Sequence, residues 1–178
     1  MKVVSLSKDD QHRFSKQVVS ELQFIAGFGI EGDAHAGERV QHRSRVKANP
    51  DQPNLRQVHL ISAELLDELQ TRGFAVQAAT LGENVLTTGI DLLALPTDTR
   101  LQLGREVSVR ITGLRNPCAQ LDNYQKGLTA AVLDRDADGQ LIRKAGVMAV
   151  VETGGVVHTG DAIEVQLPHP PHQALVPV

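Results

Sequence analysis

The chain has 178 residues, one cysteine, no tryptophan, 3% aromatic residues and a formal net charge of −3. A chain of this length predicts one domain burying roughly 70% of its unfolded surface, and a lone cysteine rules out both an internal disulfide and a four-cysteine zinc site. The acidic balance and the shortage of stacking side chains exclude general affinity for nucleic acid; no stretch is apolar for long enough to make a signal peptide or a membrane span, so a soluble cytoplasmic protein is expected, with neither nucleic acid nor membrane as partner.

In chain order, short runs rich in Val, Ile, Leu and Thr between Gly, Asp and Asn signals predict strands over Lys2–Ser7, Val18–Ala26, Gln57–Ile61, Asn84–Thr88, Arg100–Leu103, Glu106–Thr112, Val147–Glu152 and Ala162–Leu167. A helix is expected after Ser62, which can cap it, with Glu64 in the first turn, Leu65, Leu66 and Leu69 on one face and Gly73 as the stop. A second is expected from Cys118 and a third over Leu128–Leu133. Long helices do not alternate with the strands, which disfavours a doubly wound parallel sheet. The pattern predicts a mainly β fold, a bent and barrel-like antiparallel sheet with a few short helices. One domain is expected over residues 1–167. The Pro-rich tail over 168–178 should be extended, either packed along the surface or loose.

Several motifs carry chemistry. Gly27-Phe28-Gly29-Ile30-Glu31-Gly32 has dinucleotide-fingerprint spacing, with Asp51 near the distance of a ribose ligand, but no apolar-periodic helix follows it to present N–H groups to a pyrophosphate. A sharp glycine-rich bend is the expectation. His35 follows, in a stretch too polar for core, and is a candidate site residue. Arg39, His42, Arg43, Arg45 and Lys47 form a basic run that either faces solvent or holds a phosphate. Glu83 and Asn84 at a strand entrance point polar groups into a pocket or close a turn. Asp134-Arg135-Asp136-Ala137-Asp138-Gly139 begins like a calcium loop, but its twelfth position is Ala145 rather than Glu, so a solvated loop is expected.

Cys118 is the strongest candidate. In Leu114-Arg115-Asn116-Pro117-Cys118-Ala119, Asn116 can cap a helix and Pro117 fits its first position, which places Cys118 in the first turn beneath free backbone N–H groups. A helix N-terminus and a neighbouring arginine stabilise thiolate and bring a thiol from about 8.5 down to roughly 3.5–7.5, so a nucleophile or soft-metal ligand is expected, against the alternative of an inert buried cysteine.

Taken in order, Ile25-Ala26-Gly27-Phe28-Gly29-Ile30-Glu31-Gly32-Asp33-Ala34-His35-Ala36-Gly37, Gly82-Glu83-Asn84-Val85-Leu86-Thr87-Thr88-Gly89, Asn116-Pro117-Cys118 and Gly154 to Gly160-Asp161-Ala162-Ile163 resemble the MOSC domain, the module named after the C-terminal part of molybdenum cofactor sulfurases. The chain is similar to small stand-alone bacterial members. The resemblance implies a barrel-like β fold and a cysteine that carries sulfur as a persulfide or ligates molybdenum in the pterin cofactor (molybdopterin). It makes Cys118 the catalytic residue and metal ligand, with His35, Glu83, Asn84, Arg115 and Asn116 as cofactor-binding residues. Pyridoxal phosphate would belong to a cysteine desulfurase partner, since no motif here nominates a Schiff-base lysine. Where many relatives carry Arg after the cysteine region, this chain reads Gly146-Val147-Met148-Ala149-Val150-Val151, a departure that bears on how an anionic cofactor is held. Two function classes follow from the resemblance. One is a molybdenum-cofactor oxidoreductase component that reduces N-hydroxylated small molecules with a reductase partner. The other is a sulfur-relay module that delivers persulfide sulfur to metal–sulfur centres. A binding domain without activity is the third reading.

Overall fold

The predicted strand runs form, most with ends shifted by one or two residues. Among the described residues, 1–41 and 49–178 in a computed structural model, the order is β1 (Lys2–Lys8), β2 (Gln17–Val19), β3 (Glu21–Ile25), β4 (Gly29–Ile30), β5 (Val58–Ser62), α1 (Ala63–Thr71), β6 (Val85–Thr88), a 3-10 turn (Leu92–Ala94) and β7 (Arg100–Leu103). There follow β8 (Val107–Leu114), α2 (Gln120–Tyr124), α3 (Leu128–Ala131), β9 (Leu133–Arg135), β10 (Leu141–Arg143), β11 (Val147–Thr153), β12 (Gly155–His158) and β13 (Ile163–Gln166). The part of the basic run at His42, Arg43, Arg45 and Lys47 lies outside the described residues.

Eight strands pair in the order β13-β7-β8-β11-β5-β6-β1-β2, and β12-β3-β4 and β10-β9 form two smaller sheets. The central strands are apolar on both faces because both faces are covered. Val58, Leu60 and Ile61 of β5 and Val147 and Ala149 of β11 are each 0% exposed, and burying an aliphatic side chain of this size contributes about 1.5–3 kcal/mol. One face packs Leu60, Val109 and Val151 with Leu22, Phe24 and Val157 of the three-stranded sheet. The other packs Ile61 and Leu86 against α1 and the two short helices through Leu65, Leu69, Leu121 and Leu128.

Antiparallel pairing dominates, but β5 and β6 run parallel, Leu60 opposite Val85. A parallel pair needs a crossover, and α1 supplies it. Its start and stop are as expected: the Ser62 hydroxyl accepts from the Leu65 N–H at 3.4 Å, and Leu65, Leu66 and Leu69 are buried. One expectation is corrected: the run Val18–Ala26 breaks at Ser20 into β2, which pairs with β1, and β3, which pairs with β12 and β4 in another sheet. The large sheet is bent, as expected, and does not close. The sheet bends until Lys2 bridges Ala162 and the Val3 N–H donates to the Asp161 carbonyl at 2.9 Å, yet β13 and β2 remain the outer strands of an open sheet.

Smaller motifs resolve without chemistry. Gly27–Gly32 is a bend leading into β4 and its turn, with no helix after it. Asp51 ion-pairs with Arg39. The calcium-like segment is the β9–β10 hairpin turn, where Asp136 Oδ1 accepts from the N–H groups of Asp138 and Gln140.

Candidate functional site

Segments far apart in the chain meet at a cavity of about 380 Å³, a size within the roughly 300–1,000 Å³ of small-molecule sites. The residues after β1 bring His12, Arg13, Phe14 and Lys16; the stretch after β4 brings His35; the approach to β5 brings Asn54 and Arg56, and β5 itself His59. Asn84 comes from the entrance of β6, Met148 from β11, Arg115 and Cys118 from the loop after β8, and Gln120 from the start of α2. Among the described residues, the lining contains four Lys or Arg and no carboxylate.

Behind this wall the Asp33 carboxylate, 0% exposed, organises three elements. Lys16 Nζ donates to Oδ2 at 2.5 Å and Asn84 Nδ2 donates to the same oxygen at 2.9 Å. Oδ1 accepts from the His35 backbone N–H at 2.9 Å and faces His35 Nδ1 at 3.3 Å. Burial alone would push this carboxyl up; the His35 hydrogen bond, together with the charge and hydrogen bond of Lys16, holds it well below the usual carboxylate range. The spacing Asp33-Ala34-His35 thus lets one carboxylate bind both the backbone and the ring of the residue two ahead. His35 is partly exposed on the cavity wall, and its ring meets His12 edge-on at 5.0 Å.

Asn84 is a buried connector. Its Nδ2 also donates to the Ser7 carbonyl at 3.1 Å, and its Oδ1 accepts from the His59 N–H at 3.1 Å. The His59 ring donates from Nε2 to the Ala145 carbonyl at 2.8 Å. Burial, then the nearby Arg115 charge, lowers its pKa to about 3, so the ring is neutral. Glu83 takes a different place from the one expected. It is 1% exposed and absent from the cavity lining; Oε1 accepts from the Ala79 N–H at 2.6 Å, while Oε2 is buried without a hydrogen-bond partner. Burial pushes its carboxyl up.

The helix-cap expectation around Cys118 is corrected. α2 begins at Gln120, two residues later, and its N-cap Ala119 makes no side-chain bond. Asn116 is exposed and off the cavity, with Oδ1 accepting from Arg143 Nε at 3.2 Å. Pro117 starts no helix here: residues 115–118 have no regular secondary structure, and the first turn begins at the Cys118 carbonyl, which accepts from the Leu121 N–H at 3.1 Å. Cys118 is half-buried on this loop, its Sγ 3.5 Å from Gln120 Oε1. The cation expected beside it is there. Burial pushes the Arg115 guanidinium down, and its charge interaction and hydrogen bond with Cys118 oppose that shift.

Of the residues nominated from sequence, Cys118, His35, Asn84 and Arg115 share the cavity, and Glu83 and Asn116 do not. Sequence reasoning missed Lys16, Arg56 and His59. His59 sits in a run of core residues and Lys16 in a polar stretch, so neither carries a local signal; the Asp33-x-His35 spacing is the signal that could have led to the network.

The model of the MOSC domain matches residues 31–164. A Bacillus subtilis protein described as "Putative metal-sulfur cluster biosynthesis proteins YuaD" is 30% identical over 169 residues, covering 88% of this chain and 85% of the relative. The crystal structure of Bacillus subtilis YuaD aligns with a TM-score of 0.74 and 26% identity over 94% of this chain and 96% of that one. YiiM from Geobacillus stearothermophilus shares the fold, with a TM-score of 0.69 at 16% identity over 97% of this chain and 78% of its own. With the fold, the ordered motifs and the cysteine-bearing cavity all in place, the chain belongs to the MOSC domain family.

Proposed function

We propose that the cavity binds the molybdenum pterin cofactor with Cys118 as a ligand of the metal, and that the loaded protein reduces N-hydroxylated small molecules with a reductase partner. The observation that carries this reading is the joint presence of one half-buried thiol and an all-cationic charged lining in a cavity of about 380 Å³. Among the described residues, no three His, Cys, Asp or Glu side chains are grouped to hold a metal. The donor set therefore fits a metal that arrives with most of its ligands, as molybdenum does on the dithiolene sulfurs of the pterin, and leaves one soft thiolate position for the protein. Arg115 and Arg56 supply positive charge for the cofactor phosphate, in place of the late arginine that the β11 sequence lacks. His35 and Asn84 contribute polar contacts on the wall, with Asp33 holding both in position. Bound molybdenum supplies two-electron exchange with a substrate; the chain's own residues bind, orient and exclude water.

A second reading, a sulfur relay, is favoured by the description of the YuaD relative and by the half-exposed position of Cys118 on a loop. There, the Cys118 thiolate would take the terminal sulfur of a persulfide from a pyridoxal-phosphate desulfurase, with the donor's thiolate as leaving group. A relay does not require a cavity of this size lined with cations. The deciding measurement is molybdenum and pterin content of protein purified from a host that makes the cofactor. Co-purification in wild type and its loss in Cys118→Ala are expected. Equal content in both would remove Cys118 as ligand, and a metal-free protein that accepts labelled sulfur at Cys118 would establish the relay.

A further inference from the structure

The loop that carries Arg115 and Cys118 leaves the sheet at Leu114, and the backbone is held there from two sides. On one, Leu114 pairs with Val147 of β11 and the Arg115 N–H donates to the Gly146 carbonyl at 2.9 Å. On the other, β7 no longer reaches. Its last pair with β8 joins Arg100 to Arg110, and one further step runs through Ile111, whose N–H donates to Thr99 and whose carbonyl accepts from Asp98. At Leu114 the C-terminal segment takes the place of a strand: the Leu114 N–H donates to the Val176 carbonyl at 2.9 Å, the Val178 N–H donates back to the Leu114 carbonyl at 3.3 Å, and Leu114 and Pro177 form a parallel bridge.

Gly113 is what lets the segment pass. A Cβ there would lie 2.4 Å from the Val176 carbonyl oxygen and 2.5 Å from Val178 Cγ1, closer than atoms can approach. Upstream, the Thr97 N–H donates to the Gln173 carbonyl at 2.8 Å and Leu175 packs at the edge of the core. The hold is light. Val176 is 62% exposed, so the segment can detach without opening the sheet beneath it.

We infer that residues 173–178 are a positioning strap for the cysteine loop: by completing the sheet edge at Leu114 they set where Arg115 and Cys118 stand over the cavity. The far end of the loop is anchored independently by Leu121, buried under α1, so the strap controls the near end. This holds whichever ligand Cys118 serves. A part so lightly attached, four residues from the thiol, is also a place where a ligand in the cavity and the tail influence each other by the same factor.

The test uses the full chain, with two routes to the same detachment: deletion of residues 174–178, and Gly113→Ala, whose methyl displaces the strap. Cys118 is alkylated with iodoacetamide and followed by mass spectrometry, beside hydrogen exchange of the Leu114–Leu121 amides and the urea midpoint. Each variant should raise both rates about fivefold, the factor for loss of one ordinary hydrogen bond; the urea midpoint of Gly113→Ala should fall by no more than the equivalent of that factor, and that of the deletion further, since it also removes Leu175. The double variant should match the deletion rather than multiply the two effects, because both act on the loop through the same Leu114–Val176 contact. Alkylation and exchange at the wild-type rates in Gly113→Ala, or effects that multiply in the double variant, would overturn the inference. Should the deletion fail to fold, Gly113→Ala alone decides. A merely structural role would lower the midpoint and leave both rates of the folded protein unchanged.

Discussion

Lys16 and Asp33 form an ion pair at 2.5 Å in which the side chains are 4% and 0% exposed. The pair ties the segment after β1 to the loop after β4 and, through Asn84, to the entrance of β6. Removing one partner of a buried pair leaves the other charged and desolvated, so Asp33→Ala should lower stability by about 3–5 kcal/mol in urea denaturation at pH 7. The Asp33 carboxyl is held below its unfolded value; its contribution is therefore present above about pH 3.9 and lost as the pH falls through the lowered folded value. Wild type should lose this increment in acid and Asp33→Ala should not. Equal stability at neutral pH would show that the pair holds nothing in place.

His59 gives a second acid-sensitive contribution, in a higher window. Its folded pKa near 3 lies below the unfolded 6.5, so the unfolded chain takes up the proton first. Stability should fall as the pH drops from about 6.5 towards 3, by at most about 1.4 kcal/mol per pH unit from this group. His59→Gln keeps a donor for the Ala145 carbonyl and should flatten that slope. A slope unchanged in the variant would assign the acid sensitivity elsewhere.

Glu83 works in the opposite sense. Burial raises its folded pKa, so the native state holds an extra proton from about pH 4.3 up to the raised value, and stability falls as the pH rises through that window. Glu83→Gln retains an oxygen for the Ala79 N–H and removes the ionisation. Thermal unfolding at pH 8 should find the variant as stable as wild type or about 1 kcal/mol more so. A loss of several kcal/mol at pH 8 would mean that an ionised Glu83 is needed by its neighbours.

Asn116→Ala tests the corrected helix start. Were Asn116 a cap, truncation would cost about 0.5–2 kcal/mol. As an exposed side chain whose Oδ1 accepts from Arg143, it should change stability by no more than about 0.5 kcal/mol. A larger loss in chemical denaturation would restore the cap.

What the amino-acid order by itself determined is local. The Ser62 cap, the Leu65, Leu66, Leu69 face, the strand runs and the absence of a helix behind Gly27–Gly32 are legible because each depends on residues within a few positions of one another. The lone Cys118 and its neighbour Arg115 are legible for the same reason. The order of four weak motifs was enough to indicate the family.

Tertiary structure alone decided how these pieces meet. The parallel pairing of β5 with β6, the division of one apolar run at Ser20 between two sheets, and the meeting of Lys16, Asp33 and Asn84 all join residues whose separation along the chain carries no signal. The same limit explains both failures at the site. Asn-Pro before a cysteine suits a helix start, but the pairing of Leu114 with Val147 and the bond from Arg115 to Gly146 hold the chain to the sheet as far as Arg115, and the helix starts only at Gln120. Glu83 beside Asn84 suits a pocket, but at the entrance of β6 neighbouring side chains point to opposite sides of the backbone, so Asn84 faces the cavity while Glu83 turns to the Ala79 N–H.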